Sequence, residues 1–160
     1  MEKCVPLEEQ VADLLKEKKL KITCAESCTG GLISGRLVNV SGISEYYEAG
    51  IVTYANEAKE KFLKVPHEML EEHGAVSRQV AEAMARGAIT FAGADVSIAV
   101  TGIAGPGGGT AEKPVGLVYM ACCIRDEVTV RKHLFSGDRQ AVRESTVQEA
   151  LKLVMECLGK

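Results

Sequence analysis

The chain has 160 residues, 46% of them apolar and 26% charged, which suits one compact domain and argues against disorder. A formal net charge of -3 gives no electrostatic reason to bind nucleic acid or an anionic membrane. No apolar run approaches the ~20 residues needed to span a bilayer.

The start, Met1-Glu2-Lys3-Cys4-Val5-Pro6-Leu7-Glu8-Glu9, is acidic where a signal peptide has a basic stretch and then an apolar one. The expected setting is the cytoplasm. Leu7, Val11, Leu14 and Leu15 recur at helical spacing and predict an amphipathic helix. Leu20 to Ala25 alternates like a short strand. Gly30 and Gly31 follow, then Leu32, Ile33, Leu37 and Val38 at helical spacing, and a turn at Ser41-Gly42. Ala49 to Tyr54 reads as a strand, and Asn56 to Leu63 as a helix stopped by Pro66. The polar segment with His67 and His73 reads as exposed. Ser77 caps a helix bearing Val80, Ala81, Met84, Ala85 and Ala88.

Val96 to Thr101 is apolar enough for a strand buried on both faces. Gly102 to Pro114 is a glycine-rich loop. Val115 to Ile124 and Val128 to Phe135 predict a hairpin turning at Arg125-Asp126-Glu127, and Asp138 opens a last helix with Val142, Val147, Leu151, Val154 and Leu158. Alternating strands and helices with a late hairpin predict a single three-layer α/β/α domain over 1–160, with a mixed, mostly parallel sheet. Cys4, Cys24, Cys28, Cys122, Cys123 and Cys157 lack zinc-site spacing and an export signal, so reduced, mostly buried thiols and no metal are expected.

Four places could carry chemistry. Ser27, in Ala25-Glu26-Ser27-Cys28-Thr29-Gly30-Gly31, lies where a buried strand gives way to a helix. Backbone N–H groups there could stabilise an alkoxide or oxyanion, and the glycines leave room for a substrate. Equally, Ser27 or Thr29 could be only a helix cap. A nucleophilic serine needs a base. None of His67, His73 and His133 has a motif that places it, and no Gly-x-Ser-x-Gly elbow exists. Lys59 follows the next strand and could serve if burial lowers its pKa; otherwise it is a solvated helix lysine. Tyr54 could relay a proton or simply pack its ring.

The loop Thr101-Gly102-Ile103-Ala104-Gly105-Pro106-Gly107-Gly108-Gly109 matches neither a dinucleotide fingerprint nor a phosphate-binding P-loop, yet its glycines suit close approach to a ligand as well as plain flexibility. Arg139 and Arg143 fall four residues apart at the start of the last helix. A phosphate would suit both guanidiniums and the helix terminus; a carboxylate such as Asp138 or Glu144 would serve as well.

Together, Ala25–Gly31, Val52-Thr53-Tyr54-Ala55-Asn56-Glu57-Ala58-Lys59, Gly74-Ala75-Val76-Ser77, Thr101–Pro106, Lys113-Pro114-Val115-Gly116, and Phe135–Arg139 with Val142-Arg143 run in order across the chain. In these segments it resembles the CinA C-terminal-domain family, whose enzymatic members are nicotinamide-nucleotide amidases of the PncC type. The resemblance implies deamidation of nicotinamide mononucleotide to nicotinic acid mononucleotide and ammonia, without metal or cofactor. It implies Ser27 as nucleophile and Lys59 as base, with Tyr54 nearby. Thr29, Gly30, Gly102, Gly105, Arg139 and Arg143 would then surround the nucleotide. Longer relatives carry a further N-terminal domain whose activity does not transfer. Ala55 departs from the family, where serine is expected. Two rival readings stand beside this one: a non-catalytic nucleotide-binding domain, and a thiol enzyme using Cys28. Small glycine- and alanine-rich α/β domains often form homo-oligomers, which is the expectation here.

Overall fold

The computed structural model describes residues 3–160; Met1 and Glu2, which open the acidic start, lie outside them. The elements are α1 (Leu7–Lys18), β1 (Ile22–Glu26), α2 (Leu32–Leu37), β2 (Ile51–Val52), α3 (Asn56–Leu63), α4 (His67–His73), α5 (Arg78–Ala92), β3 (Val96–Gly102), β4 (Leu117–Ile124), β5 (Glu127–Leu134) and α6 (Arg139–Leu158). The strands form one sheet in the order β2-β1-β3-β4-β5. β1 is parallel to β2 and β3, and only β4 runs against the other four.

Side-chain alternation along the strands divides the core in two. Cys24, Ile98, Val100, Met120 and Cys122 face α1, α2 and α6, where Val11, Leu15, Ile33 and Leu151 complete one layer. Ala25, Ala99, Ala121 and Cys123 face α5, which meets them with Ala81, Met84, Ala85 and Ala88. Small residues on both sides let α5 lie close to the sheet, close enough for the Ser97 hydroxyl to donate to the Ala85 carbonyl at 2.6 Å. The domain is thus the expected three-layer α/β/α sandwich.

Three boundaries differ from the expectation. β2 has only Ile51 and Val52 in register with Ala25 and Glu26; the Thr53 N–H still bonds the Glu26 carbonyl, and the chain leaves the sheet from there. The hairpin strands begin at Leu117 and Glu127. The polar segment after Pro66 is a helix, α4, which buries Leu70 against α5 and leaves its other side to water.

The expected helix at Asn56 begins on Ala55, an N-cap with extended backbone (φ -86°, ψ 154°) and no side-chain cap bond. This helix carries Lys59. A hydroxyl at this position would accept from the N–H of Glu57 or Ala58. Ala55→Ser should therefore stabilise the fold by about 1 kcal/mol and raise Tm by about 2–4 °C. Thermal unfolding of the two proteins reads this directly; an unchanged or lower Tm would mean that the cap does not form.

Candidate active site

β1 has β2 on one side and β3 on the other, and the three parallel strands end along one edge. The chain winds in opposite directions from β1, which makes that edge the crevice where open α/β sheets bind ligands. Ser27, Thr53-Tyr54 and Gly102–Ala104 follow these strand ends directly.

Ser27 is buried in this crevice, and Lys59 is 1% exposed. The Lys59 Nζ lies 3.0 Å from the Ser27 Oγ, 2.7 Å from the Thr53 carbonyl and 3.3 Å from the Tyr54 carbonyl. Desolvation pushes the amine down from 10.5 to about 8, opposed in part by the neighbouring Cys28. A neutral amine has two N–H bonds and one lone pair. Two carbonyls take the N–H bonds, and the lone pair is left for the serine O–H. Once protonated, the same amine donates to all three oxygens.

The turn that carries Ser27 is held from two sides. From α6, the Arg143 guanidinium donates to the Cys28 carbonyl at 3.0 Å and the Thr29 carbonyl at 3.1 Å. From β1, the buried Glu26 carboxylate accepts from the Thr29 hydroxyl at 2.6 Å, the Ile33 N–H at 2.8 Å, and the Ser34 N–H and hydroxyl at 3.0 and 2.8 Å. The expectation that Ser27 meets the helix N-terminus is therefore corrected. The N-cap of α2 is Gly31, and the free N–H groups of its first turn go to Glu26. Ser27 is neither a cap nor a beneficiary of that helix end.

Thr29 is fully buried and spends its hydroxyl on Glu26. Gly30 has φ 59° and donates its N–H to the Ser27 carbonyl at 3.1 Å. Among the described residues, the N–H groups of Cys28 and Thr29 have no hydrogen-bond acceptor. Cys28 itself is buried, and desolvation raises its thiol to about 11. The lowered thiol pKa that a helix N-terminus would give is thus not found.

Tyr54 is exposed, and its hydroxyl accepts from Arg139 at 3.1 Å; its contact with Lys59 is through the carbonyl. The other arm of Arg139 donates to the Gly105 carbonyl at 2.8 Å. Arg139 so ties together the segments after β2 and β3 and the start of α6. Neither Arg139 nor Arg143 is in an ion pair among the described residues, although Asp138 caps α6 through its bond to the Ala141 N–H. Gly102 and Gly105 are required by close packing. A β-carbon on Gly102 would lie 2.6 Å from Val118, and one on Gly105 would lie 2.4 Å from Val115.

Ser27, Lys59, Tyr54, Gly102 and Arg139 line a cavity of about 270 Å³. Asn56 and Ala75 line it too, which the sequence reading did not pick out. A larger cavity of about 780 Å³, walled by Leu32, Pro106, Val115 and Arg143, shares Ala104 and Arg139 with it. None of the three histidines lines either cavity. His67 lies between Glu60 and Glu71, and His133 stacks on Phe135. Among the described residues, no helix is long and apolar enough to cross a membrane.

The profile of the CinA C-terminal domain matches residues 5–158, nearly the whole chain. This chain belongs to the CinA C-terminal domain family. A CinA-like protein of Geobacter sulfurreducens is 55% identical over 141 residues, which cover 88% of this chain and 34% of that protein. A CinA-like protein of Dictyoglomus thermophilum is 52% identical over 145 residues, 91% of this chain and 35% of its own. The chain thus spans about a third of the length of these curated CinA relatives. Among solved structures, the competence/damage inducible protein CihA of Agrobacterium tumefaciens superposes with TM-score 0.91 at 42% identity, covering 99% of both chains. A CinA superfamily protein of Klebsiella pneumoniae gives TM-score 0.92 at 37% identity, covering 96% of both. The five-stranded sheet described above is therefore the fold of CinA domains solved on their own.

Proposed function

We propose that this CinA domain is a cytoplasmic, metal-independent Ser–Lys amidohydrolase that deamidates nicotinamide mononucleotide to nicotinic acid mononucleotide and ammonia. The observation that carries the reading is the buried Lys59 amine 3.0 Å from the Ser27 hydroxyl, with desolvation lowering its pKa from 10.5 to about 8. Burying a lysine without a carboxylate partner is costly, and Lys59 has none among the described residues. A binding domain without chemistry would account for the cavities and the arginines, but gives no account of such an amine set against a serine hydroxyl.

In the reaction, neutral Lys59 takes the Ser27 proton as the oxygen attacks the carboxamide carbon. The N–H of Cys28, which lines the cavity around Ser27 and has no acceptor among the described residues, is the best donor to the resulting oxyanion, since that of Gly30 is already used. Gly102 lines the same cavity and supplies backbone beside the reacting group. Collapse breaks the C–N bond, and the lysine proton leaves with ammonia. Lys59 then takes a proton from water, which attacks the acyl-enzyme and releases the carboxylate and Ser27. The amide fits the smaller cavity, and the ribose and phosphate extend into the larger one past Arg139. Its volume of about 780 Å³ lies within the usual small-molecule range of roughly 300–1,000 Å³.

Incubation with nicotinamide mononucleotide should release ammonia and nicotinic acid mononucleotide in equal amounts. Absence of ammonia above a Ser27→Ala control would end the amidase reading. Arg139→Ala should raise KM for the nucleotide about tenfold or more, with a much smaller effect on phosphate-free nicotinamide riboside. Steady-state kinetics on both substrates measures this. Equal effects would make Arg139 a brace between Gly105 and Tyr54 rather than a phosphate ligand.

A further inference from the structure

From the geometry around β1 we infer that Glu26 is the positioning residue for the dyad, holding the Ser27 turn and the Lys59 anchor in one register. The inference rests on the Ser–Lys reading above and assigns a role to a residue that touches neither substrate nor the reacting atoms.

Glu26 is fully buried at the last position of β1, and its side chain points to the same side of the sheet as that of Cys24. Each carboxylate oxygen takes two donors. One receives the Thr29 hydroxyl and the Ile33 N–H; the other receives the N–H and hydroxyl of Ser34. The four distances, 2.6–3.0 Å, all lie within hydrogen-bond range. Each oxygen faces one backbone N–H, which can only donate, beside one hydroxyl, so both oxygens must be acceptors. A glutamine would turn its NH2 towards at least one N–H or O–H that needs an acceptor.

The anchored segments lie on both sides of the reaction. Thr29 is two residues beyond Ser27, so its bond to Glu26 closes the turn that carries the nucleophile. Ile33 and Ser34 belong to the first turn of α2, which Gly31 cannot cap with a side chain. Glu26 supplies that missing cap from the strand. On its main-chain side, the Glu26 carbonyl accepts from the Thr53 N–H at 2.9 Å, and the Thr53 carbonyl in turn accepts from Lys59 at 2.7 Å. One residue therefore sets the nucleophile turn through its carboxylate and the seat of the base through its carbonyl. A displacement of about 1 Å at such a pair is enough to cost much of the rate.

The test compares wild type with Glu26→Gln, Thr29→Val and Ser34→Ala. Each is examined for kcat and KM on nicotinamide mononucleotide, for the rate at which a fluorophosphonate labels Ser27 by intact mass, and for Tm. Glu26→Gln should lower kcat and the labelling rate at least tenfold with KM within about threefold; Thr29→Val and Ser34→Ala should lower both severalfold in folded protein. A merely structural role would lower Tm and leave turnover and labelling per folded molecule unchanged, and that result overturns the inference. If Glu26→Gln does not fold, the two hydroxyl variants decide by the same criterion. If wild type is labelled but does not release ammonia, the amidase reading fails and the labelling rates alone decide the role of Glu26. If wild type is neither active nor labelled, both fall.

Discussion

Ser27→Ala is expected to lower kcat for nicotinamide mononucleotide by about 10,000-fold or more while the nucleotide still binds. The variant removes one buried oxygen. Arg143 and Glu26 act on the backbone and on Thr29, so the turn itself should persist. Cys28 is not placed to take over: the Lys59 amine bonds the Ser27 hydroxyl and, among the described residues, makes no bond to the Cys28 thiol, which burial raises to about 11. Kinetics and equilibrium binding on the same sample separate loss of chemistry from loss of the site. Turnover surviving in Ser27→Ala and vanishing in Cys28→Ala would make sulfur the nucleophile.

Lys59→Met should lower kcat by about 1,000-fold or more, again with nucleotide binding retained. Methionine fills the channel occupied by the lysine stem but offers no lone pair to the serine proton. It leaves the Thr53 and Tyr54 carbonyls without their donor, so some stability is lost as well. Lys59→Arg sharpens the test. Arginine restores a cation and N–H donors, and it does not deprotonate. If Lys59 is the base, both variants are dead. If Lys59 only supplies positive charge, the arginine variant keeps a measurable fraction of the wild-type rate. Initial rates of ammonia release from the three proteins distinguish these outcomes.

The layers of the fold were legible because hydrophobic periodicity reports them directly. Val96 to Thr101 reads as a doubly buried strand and is the centre of the sheet. The α4 helix was not legible, because it buries only Leu70 and part of Met69 and its other positions are polar. The pairing of Ser27 with Lys59 was foreseeable only as successive strand ends of one sheet. Its 3.0 Å distance depends on Thr53 turning out of β2 to present a carbonyl. The double grip of Arg143 on Cys28 and Thr29 joins positions more than a hundred residues apart, and local pattern carries no trace of such contacts. Glu26 did leave a trace. Thr23 and Ala25 alternate with Cys24 and Glu26 along a buried strand, so a carboxylate at that register must have partners. The loop glycines also carried a physical signal, since Gly102 and Gly105 sit where a β-carbon would collide with Val118 and Val115.

The claim that a neutral, buried lysine activates Ser27 is tested most directly by titrating that lysine. Lys59 can be followed in isotope-labelled protein by the carbon resonance next to its amine, assigned with Lys59→Arg, while kcat/KM is measured over the same pH range. Protonated Lys59 can only donate, so activity must fall as pH drops through its pKa and level off above it. The account predicts that the resonance and the rate follow one curve with a midpoint of about 8. A Lys59 midpoint near the ordinary lysine value of 10.5, or a rate that stays flat through pH 8, would contradict it.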